Sequence, residues 1–327
     1  MRQLALAFAV AAWTVHAGST ARASSCQLRT TFTVHGRSVS LDAGVPSSLG
    51  ARGGRPPSRR TDDGIQTNDT WASASERVEV LRSCTELDGG GVWQVLRFQH
   101  TRADHAASPP AATASAPIAS VNVLDSFVQG RFELFYSIGS SGQATDFAPR
   151  RVTLSPGMNV SLAPYGGRSS DQVLPMFHLI SQEPALHQSF RVGIGWTGTW
   201  KLELIVTDDG VRVSCGQNNT NLQLLHGESF RTPSVVLLPY TGDAQRGFNV
   251  WRALVRTHFT PRQPGTQEPV ILPTAVSFAS IPFQDCTEAN QVLAIQNTAK
   301  YFKPYVDTYW IDAGAFKLLA VGSSIPK

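Results

Sequence analysis

Between residues 25 and 240 apolar side chains recur at every second position in short runs, with turn residues between the runs. A period of two sends successive side chains to opposite faces of an extended chain, so the pattern predicts a mainly β protein built as a sandwich. Candidate strands cover residues 28–34, 77–81, 92–98, 131–136, 201–207 and 211–215. The sharpest hairpin signal is KLELIVTDDGVRVSC. Here Leu202, Leu204 and Val206 alternate with other positions, Asp209-Gly210 supplies residues that tolerate positive φ, and Val211 and Val213 resume the alternation. Asp208 and Asp209 therefore read as turn residues rather than as a catalytic carboxylate pair. Residues 101–120, rich in Ala, Ser and Pro, offer no apolar face to bury and read as a long loop.

The period changes after Pro239. In AQRGFNVWRALVRTHF, residues 244–259, Phe248, Trp251 or Arg252, Val255 and Phe259 fall at three- and four-residue intervals, which predicts an amphipathic helix stopped by Pro261 and Pro264. EPVILPTAV, residues 268–276, reads as a buried parallel strand. Asp285 and Glu288 form a capping pair for a helix whose face carries Val292, Ile295, Ala299 and Phe302 up to Pro304. YVDTYWID, residues 305–312, is a second buried strand, so the segment makes one βαβ unit. Asp312 lies at the C-terminal end of that strand, where parallel-sheet enzymes place substrate-contacting groups. From the residues alone it reads equally well as a carboxylate capping the turn at Gly314.

Composition adds a compartment. Arg2, the apolar stretch from Leu4 to Trp13 and the small residues of Ala21-Arg22-Ala23 form a signal-peptide pattern, which predicts cleavage near Ala23 and a secreted protein. The apolar stretch is shorter than the roughly 20 residues a spanning helix needs, so no membrane insertion is expected. In an oxidising compartment Cys26, Cys84, Cys215 and Cys286 could form two disulfides, with three connectivities open. The sequons at Asn68, Asn159 and Asn218 agree with a glycoprotein. A net charge of +4 in 327 residues says little about partners. The one basic cluster, residues 51–60, lacks interleaved aromatic residues, so nucleic acid is not an expected partner.

Several motifs resolve as decoys. GIGWTG, residues 193–198, fits G-x-G-x-x-G, but TWKLELIV follows it with a strand's alternation where a dinucleotide site needs a helix. It reads better as a turn that presents Trp196 as an aromatic plate. The eight histidines show no H-x-x-x-H or H-E-x-x-H spacing and no G-x-S-x-G elbow is present, so neither a metal nor a cofactor is expected.

Taken in order, GIGWTGTWKLELI, GESFRTPSVVLLPYTGDAQRGFNVWRALVRTHFTPR, EPVILPTAV and YWIDAGAF resemble the α-galactosidases of glycoside hydrolase family 36 over roughly residues 190–316. The resemblance implies a β-supersandwich over residues 24–242, a helical linker over 243–267, and the start of a (β/α)8 barrel over 268–327. Trp196 and Gly198 match the family's sandwich turn, and Glu228 and Pro233 match its Gly-Glu-x-x-x-x-Pro segment. Asp312 matches the acidic residue that contacts galactose hydroxyls at the end of the second barrel strand. Ala313, Ala315 and the stretch Pro273-Thr274-Ala275 depart from the family, which loses an aromatic plate at two places. Retaining glycosidases use two carboxyl groups about 5–5.5 Å apart. The resemblance places both on later strands, in a Lys-x-Asp and a Gly-Gly-x-Arg-x-Asp-like segment, and the 327 residues contain neither.

The reading is thus an α-galactosidase-like glycoside hydrolase for terminal α-galactosides, truncated within its barrel and catalytically incomplete. Its site residues are Asp312 for substrate binding and Trp196 for sugar stacking, with no catalytic residue assigned. The alternative is a non-catalytic carbohydrate-binding or assembly module, and a relic without function is compatible with the same residues. A homo-oligomer stays open.

Overall fold

The computed structural model describes residues 28–41, 58–61, 63–101, 114–140, 142–185, 187–266, 268–270, 275–277, 287–303, 305–306 and 308–310. The leader, Cys26, Cys286 and Asp312 lie outside them, as does most of the Ala/Ser/Pro-rich loop. The chain divides into two compact units, Met1–Phe259 and Thr260–Lys327. Among the described residues no helix is long and apolar enough to cross a membrane.

The first unit is a β-sandwich, as the period of two predicts. Its strands are β1 (Thr30–Val34), β2 (Arg37–Leu41), β3 (Ser58–Thr61), β4 (Gly64–Ser73), β5 (Val78–Leu87), β6 (Val92–His100), β7 (Ile118–Gln129), β8 (Phe132–Ile138) and β9 (Pro149–Thr153). Then come β10 (Asn159–Leu162), β11 (Val173–Ser181), β12 (Ser189–Gly195), β13 (Trp200–Val206), β14 (Gly210–Gln217), β15 (Asn221–Leu222), β16 (Ser229–Arg231) and β17 (Ser234–Tyr240). One antiparallel sheet has the order β10-β13-β14-β7-β1-β2, with β15 also on β7; the other runs β3-β4-β5-β6-β17-β12-β11-β8-β9, with β16 also on β6.

Inner faces of the two sheets interdigitate. Phe32, Val123, Leu202, Leu204 and Val213 from the smaller sheet pack against Val80, Leu96, Phe98, Phe177 and Val192 from the larger. Phe32 joins the sheets through edge-on contacts with Trp71 and Phe98, at centroid distances of 5.5 and 5.2 Å. Such offset aromatic pairs add to the burial of apolar area that drives the fold.

Two charged groups inside this architecture, Arg82 and Asp125, are paired. Arg82, 1% exposed, ion-pairs with Asp69 across β4 and β5 and donates from Nη1 to the carbonyls of Leu28 and Leu41 at 2.9 and 3.1 Å, tying the first hairpin to the larger sheet. Asp125 on β7 accepts from Arg212 Nε and Nη2, both at 2.7 Å, from Ser214 Oγ at 3.0 Å and from Thr31 Oγ1 at 2.8 Å. Burial raises its pKa, yet these hydrogen bonds and the guanidinium charge outweigh that and hold the carboxyl below its ordinary value.

The hairpin β13–β14 forms as predicted, in register from Trp200↔Gln217 to Val206↔Val211. Its glycine has another cause than expected, because neither Asp209 nor Gly210 adopts positive φ. A Cβ on Gly210 would strike the carbonyl oxygen of Val128 on β7, so close approach of the neighbouring strand excludes a side chain there. The cysteine expectation also changes. Among the described residues Cys215 is a free, fully buried thiol, so the four cysteines do not make two bridges.

Beyond β17, α1 (Ala244–Leu254) starts at Asp243, whose carboxylate accepts from Arg246 N at 2.8 Å. The predicted helix to residue 259 is shorter in its regular part, because Val255–Phe259 form a π-helical turn. Its inward face keeps Phe248 and Trp251 from the predicted stripe and adds Gly247, Val250 and Leu254, while Arg252 is exposed. In the π turn His258 shares hydrogen bonds with Asp63 Oδ1 at 3.3 Å and the Asp88 carbonyl at 2.8 Å. Phe259 meets Trp93 edge-on at 6.0 Å. This helix explains the unbroken apolar run of β17: Val235 and Leu237 face the sandwich core while Val236 and Leu238 join Leu254 beneath α1.

The second unit contains the predicted βαβ arrangement. β18 (Ala275–Ser277) and β19 (Thr308–Trp310) are parallel, with Val276 opposite Tyr309, and α2 (Glu288–Phe302) connects them. β18 overlaps the expected 268–276 segment at Ala275 and Val276, and residues 271–274 lie outside the described residues. Thr287, rather than Asp285, caps α2 by accepting from Asn290 N at 3.3 Å. Lys303 is extended, as a residue before proline should be. Within α2 the buried residue is Gln291, which accepts from the Tyr309 hydroxyl at 3.0 Å. Val292, Ile295 and Phe302, expected as the inward face, are exposed.

Candidate functional site

The turn that presents Trp196 carries the chain from one sheet of the sandwich to the other. β12 ends at Gly195, opposite Ser234 of β17, and β13 begins at Trp200, opposite Gln217 of β14. Trp196 is half-buried and packs on the sandwich core. Its indole lies over Gly198, where an added Cβ would come within 2.9 Å of Nε1. The other glycines of GIGWTG serve similar approaches: Cβ atoms on Gly193 and Gly195 would lie 2.6 Å from Trp251 and from Ser234 Oγ. Each glycine of the motif thus makes room for a neighbouring side chain, and a strand leaves the motif as its alternation predicts.

Pro233, buried at the start of β17, reaches the same end of the sandwich. Thr232 Oγ1 donates to its carbonyl at 2.9 Å. Glu228 is exposed and closes its own turn, accepting from Leu225 N at 2.8 Å through Oε2. Its own N–H donates to the Leu225 carbonyl at 3.0 Å. The structure therefore places Trp196, Gly198 and Pro233 at one end of the sandwich and gives Glu228 a turn-locking role. Asp312 lies outside the described residues.

A second cluster, which the sequence did not nominate, lies on the far face of the larger sheet beneath α1. Arg151, Phe135, His178 and Arg191 are successive cross-strand partners on β9, β8, β11 and β12. Arg151 stacks over Phe135 at 5.3 Å, and Arg191 lies over Phe248 and Trp251 of α1 at 4.9 and 5.4 Å. His178 is fully buried and its Nε2 bonds the hydroxyl of Tyr240. Burial, reinforced by the charges of Arg191 and Arg151, pushes the His178 pKa down to about 3. Burial also pushes Arg191 down to about 10, against the pull of Tyr240. Period two places Arg191 on the face opposite Val192 and Ile194, but only the position of α1 makes that face an interior. Among the described residues no group of three or more His, Cys, Asp or Glu side chains converges as a metal site requires.

No family model matches the sequence, and no curated protein matches it. Solved structures do. AgaA, a glycoside hydrolase family 36 α-galactosidase from Geobacillus stearothermophilus, was solved in complex with stachyose. It superposes with a TM-score of 0.61 at 17% identity, over 88% of this chain and 39% of that one. AgaB from the same organism gives 0.59 at 18% identity, over 88% and 39%. The α-galactosidase from Lactobacillus brevis gives 0.54 at 15% identity, over 88% and 35%. The shared property is the fold. The chain spans under two-fifths of the length of each of these enzymes. A match over 88% of the 327 residues exceeds the 259 of the first unit, so the likeness runs from the sandwich into the second unit.

Proposed function

We propose that the chain is the sandwich and barrel-start portion of an α-galactosidase-type glycoside hydrolase acting on terminal α-galactosides. The observation that carries this reading is the extent of the likeness, which continues past the sandwich toward a parallel βαβ unit of the kind that begins a (β/α)8 barrel. In this reading Asp312, two residues beyond β19, contacts sugar hydroxyls, while the acid and nucleophile come from outside these 327 residues. Export through the leader belongs to the same reading.

The test is calorimetric titration of the chain with stachyose, alongside an aryl α-galactoside assay. Stachyose binding that Asp312→Ala weakens, without turnover, is the expected result. Absence of binding overturns the substrate assignment, and turnover by these residues alone overturns catalytic incompleteness.

A second reading, a non-catalytic carbohydrate-binding module, is favoured by the half-buried indole of Trp196 at the end of the sandwich. It requires binding to depend on Trp196 rather than on Asp312.

A further inference from the structure

Of the three sequons, one places both its asparagine and its hydroxyl residue in solvent. Asn159, Val160 and Ser161 lie on β10, which ends the order of the smaller sheet and has β13 as its one partner among the described residues. Val160 and Leu162 pack on the sandwich core, so the period of two sends Asn159 and Ser161 outward, and both are exposed. The turn that leads into the strand is open as well, since a Cβ on Gly157 would meet no atom within 4 Å.

The other two sequons differ. Asn68 is half-buried within β4, its Oδ1 accepts from Gln66 Nε2 at 3.2 Å, and the central residue of its sequon, Asp69, is held by Arg82. Asn218 is half-buried, and Thr220, which completes its sequon, is 8% exposed. An N-linked oligosaccharide is bulky and hydrated, so a folded chain must keep the asparagine that bears it at the surface.

We propose that Asn159 is the glycosylated sequon of this chain, taking an N-acetylglucosamine-based oligosaccharide from a polyprenyl diphosphate carrier. The transfer forms a bond between Asn159 Nδ2 and the anomeric carbon, breaks that carbon's bond to the diphosphate oxygen, and releases an amide proton with the polyprenyl diphosphate. It rests on export through the leader, because the carrier belongs to a secretory compartment. The position also gives the glycan a surface to cover. Asn159 stands opposite Ile205, which is 45% exposed on the outer face of β13, and cross-strand neighbours of this kind lie about 4.5–5.5 Å apart at Cβ. The first sugar therefore shields Ile205 and blocks the open edge of β10 against another strand.

The full chain is produced in a eukaryotic secretory host behind its own leader and, in parallel, behind a standard cleavable leader, then treated with peptide N-glycosidase and mapped by mass spectrometry. Asn159 is expected to be converted to aspartate in nearly all copies, with Asn68 and Asn218 unconverted. Asn159→Gln and Ser161→Ala are expected to abolish the glycan's mobility shift, and Ser161→Thr to keep it. Conversion behind the standard leader alone supports the site and overturns export through the natural leader. An unconverted Asn159 behind both leaders, or equal conversion at Asn68 or Asn218, overturns the proposal. The Asn159→Gln chain is expected to self-associate more strongly in light scattering, and a further Ile205→Ser to suppress the increase; equal scattering with and without the glycan overturns the shielding role.

Discussion

An added Cβ on Gly247 would lie 2.5 Å from the phenolic oxygen of Tyr240. The contact fixes how closely α1 approaches β17, and Gly193 repeats the arrangement beneath the ring of Trp251 on the same helix. Gly247→Ala should gain about 1 kcal/mol in helix propensity. Overpacking against a ring already bonded to His178 costs about 1–3 kcal/mol, so a lower denaturant midpoint is expected. Gly193→Ala should act in the same direction.

The Asp125 network sets an acid limit on stability. Its carboxyl titrates below the ordinary 3.8 in the folded chain, so the network contributes fully above that value and is lost as pH falls through the lower folded pKa. Asp125→Ala leaves Thr31 and Ser214 without their acceptor and should cost about 2 kcal/mol. It should also flatten the acid end of a pH–stability profile, read by urea unfolding.

His178 acts over a higher range with the same sign. Its folded pKa is depressed from 6.5 to about 3, so its contribution is complete above 6.5 and declines as pH drops toward 3, because the unfolded chain takes up the proton first. The charged groups facing it are Arg191 from β12 and Arg151 from β9, with the Tyr240 hydroxyl from β17, while α1 presents Phe248 and Gly247. His178→Gln should reduce the slope between these limits when urea unfolding is followed across pH.

Cys215 should be inert in the native state. Its thiol is fully buried, and burial raises its pKa far above the ordinary 9.0. A thiol reagent should label it only on unfolding; labelling at a rate independent of denaturant would contradict this.

Trp196→Ala should cost about 2 kcal/mol of stability, since the indole packs on the sandwich core and over Gly198. If the ring is structural, stachyose affinity survives in the folded variant. A calorimetric loss of binding without loss of fold would make it a sugar platform.

The sequence by itself determined the sandwich, the β13–β14 hairpin and the order strand, helix, strand after residue 260. Side-chain periodicity is a local consequence of backbone geometry, so it can be read one segment at a time. It also placed Trp196 in a turn, because the residues on either side alternate. Tertiary structure alone decided that Gly210 is needed for the approach of Val128 rather than for its φ, and that α2 buries Gln291 in place of Val292 and Ile295. Likewise, period two puts Arg191 opposite Val192, but only α1 turns that outer face into an interior shared with His178 and Tyr240. These last features depend on residues distant in sequence meeting at van der Waals range, which no local pattern encodes.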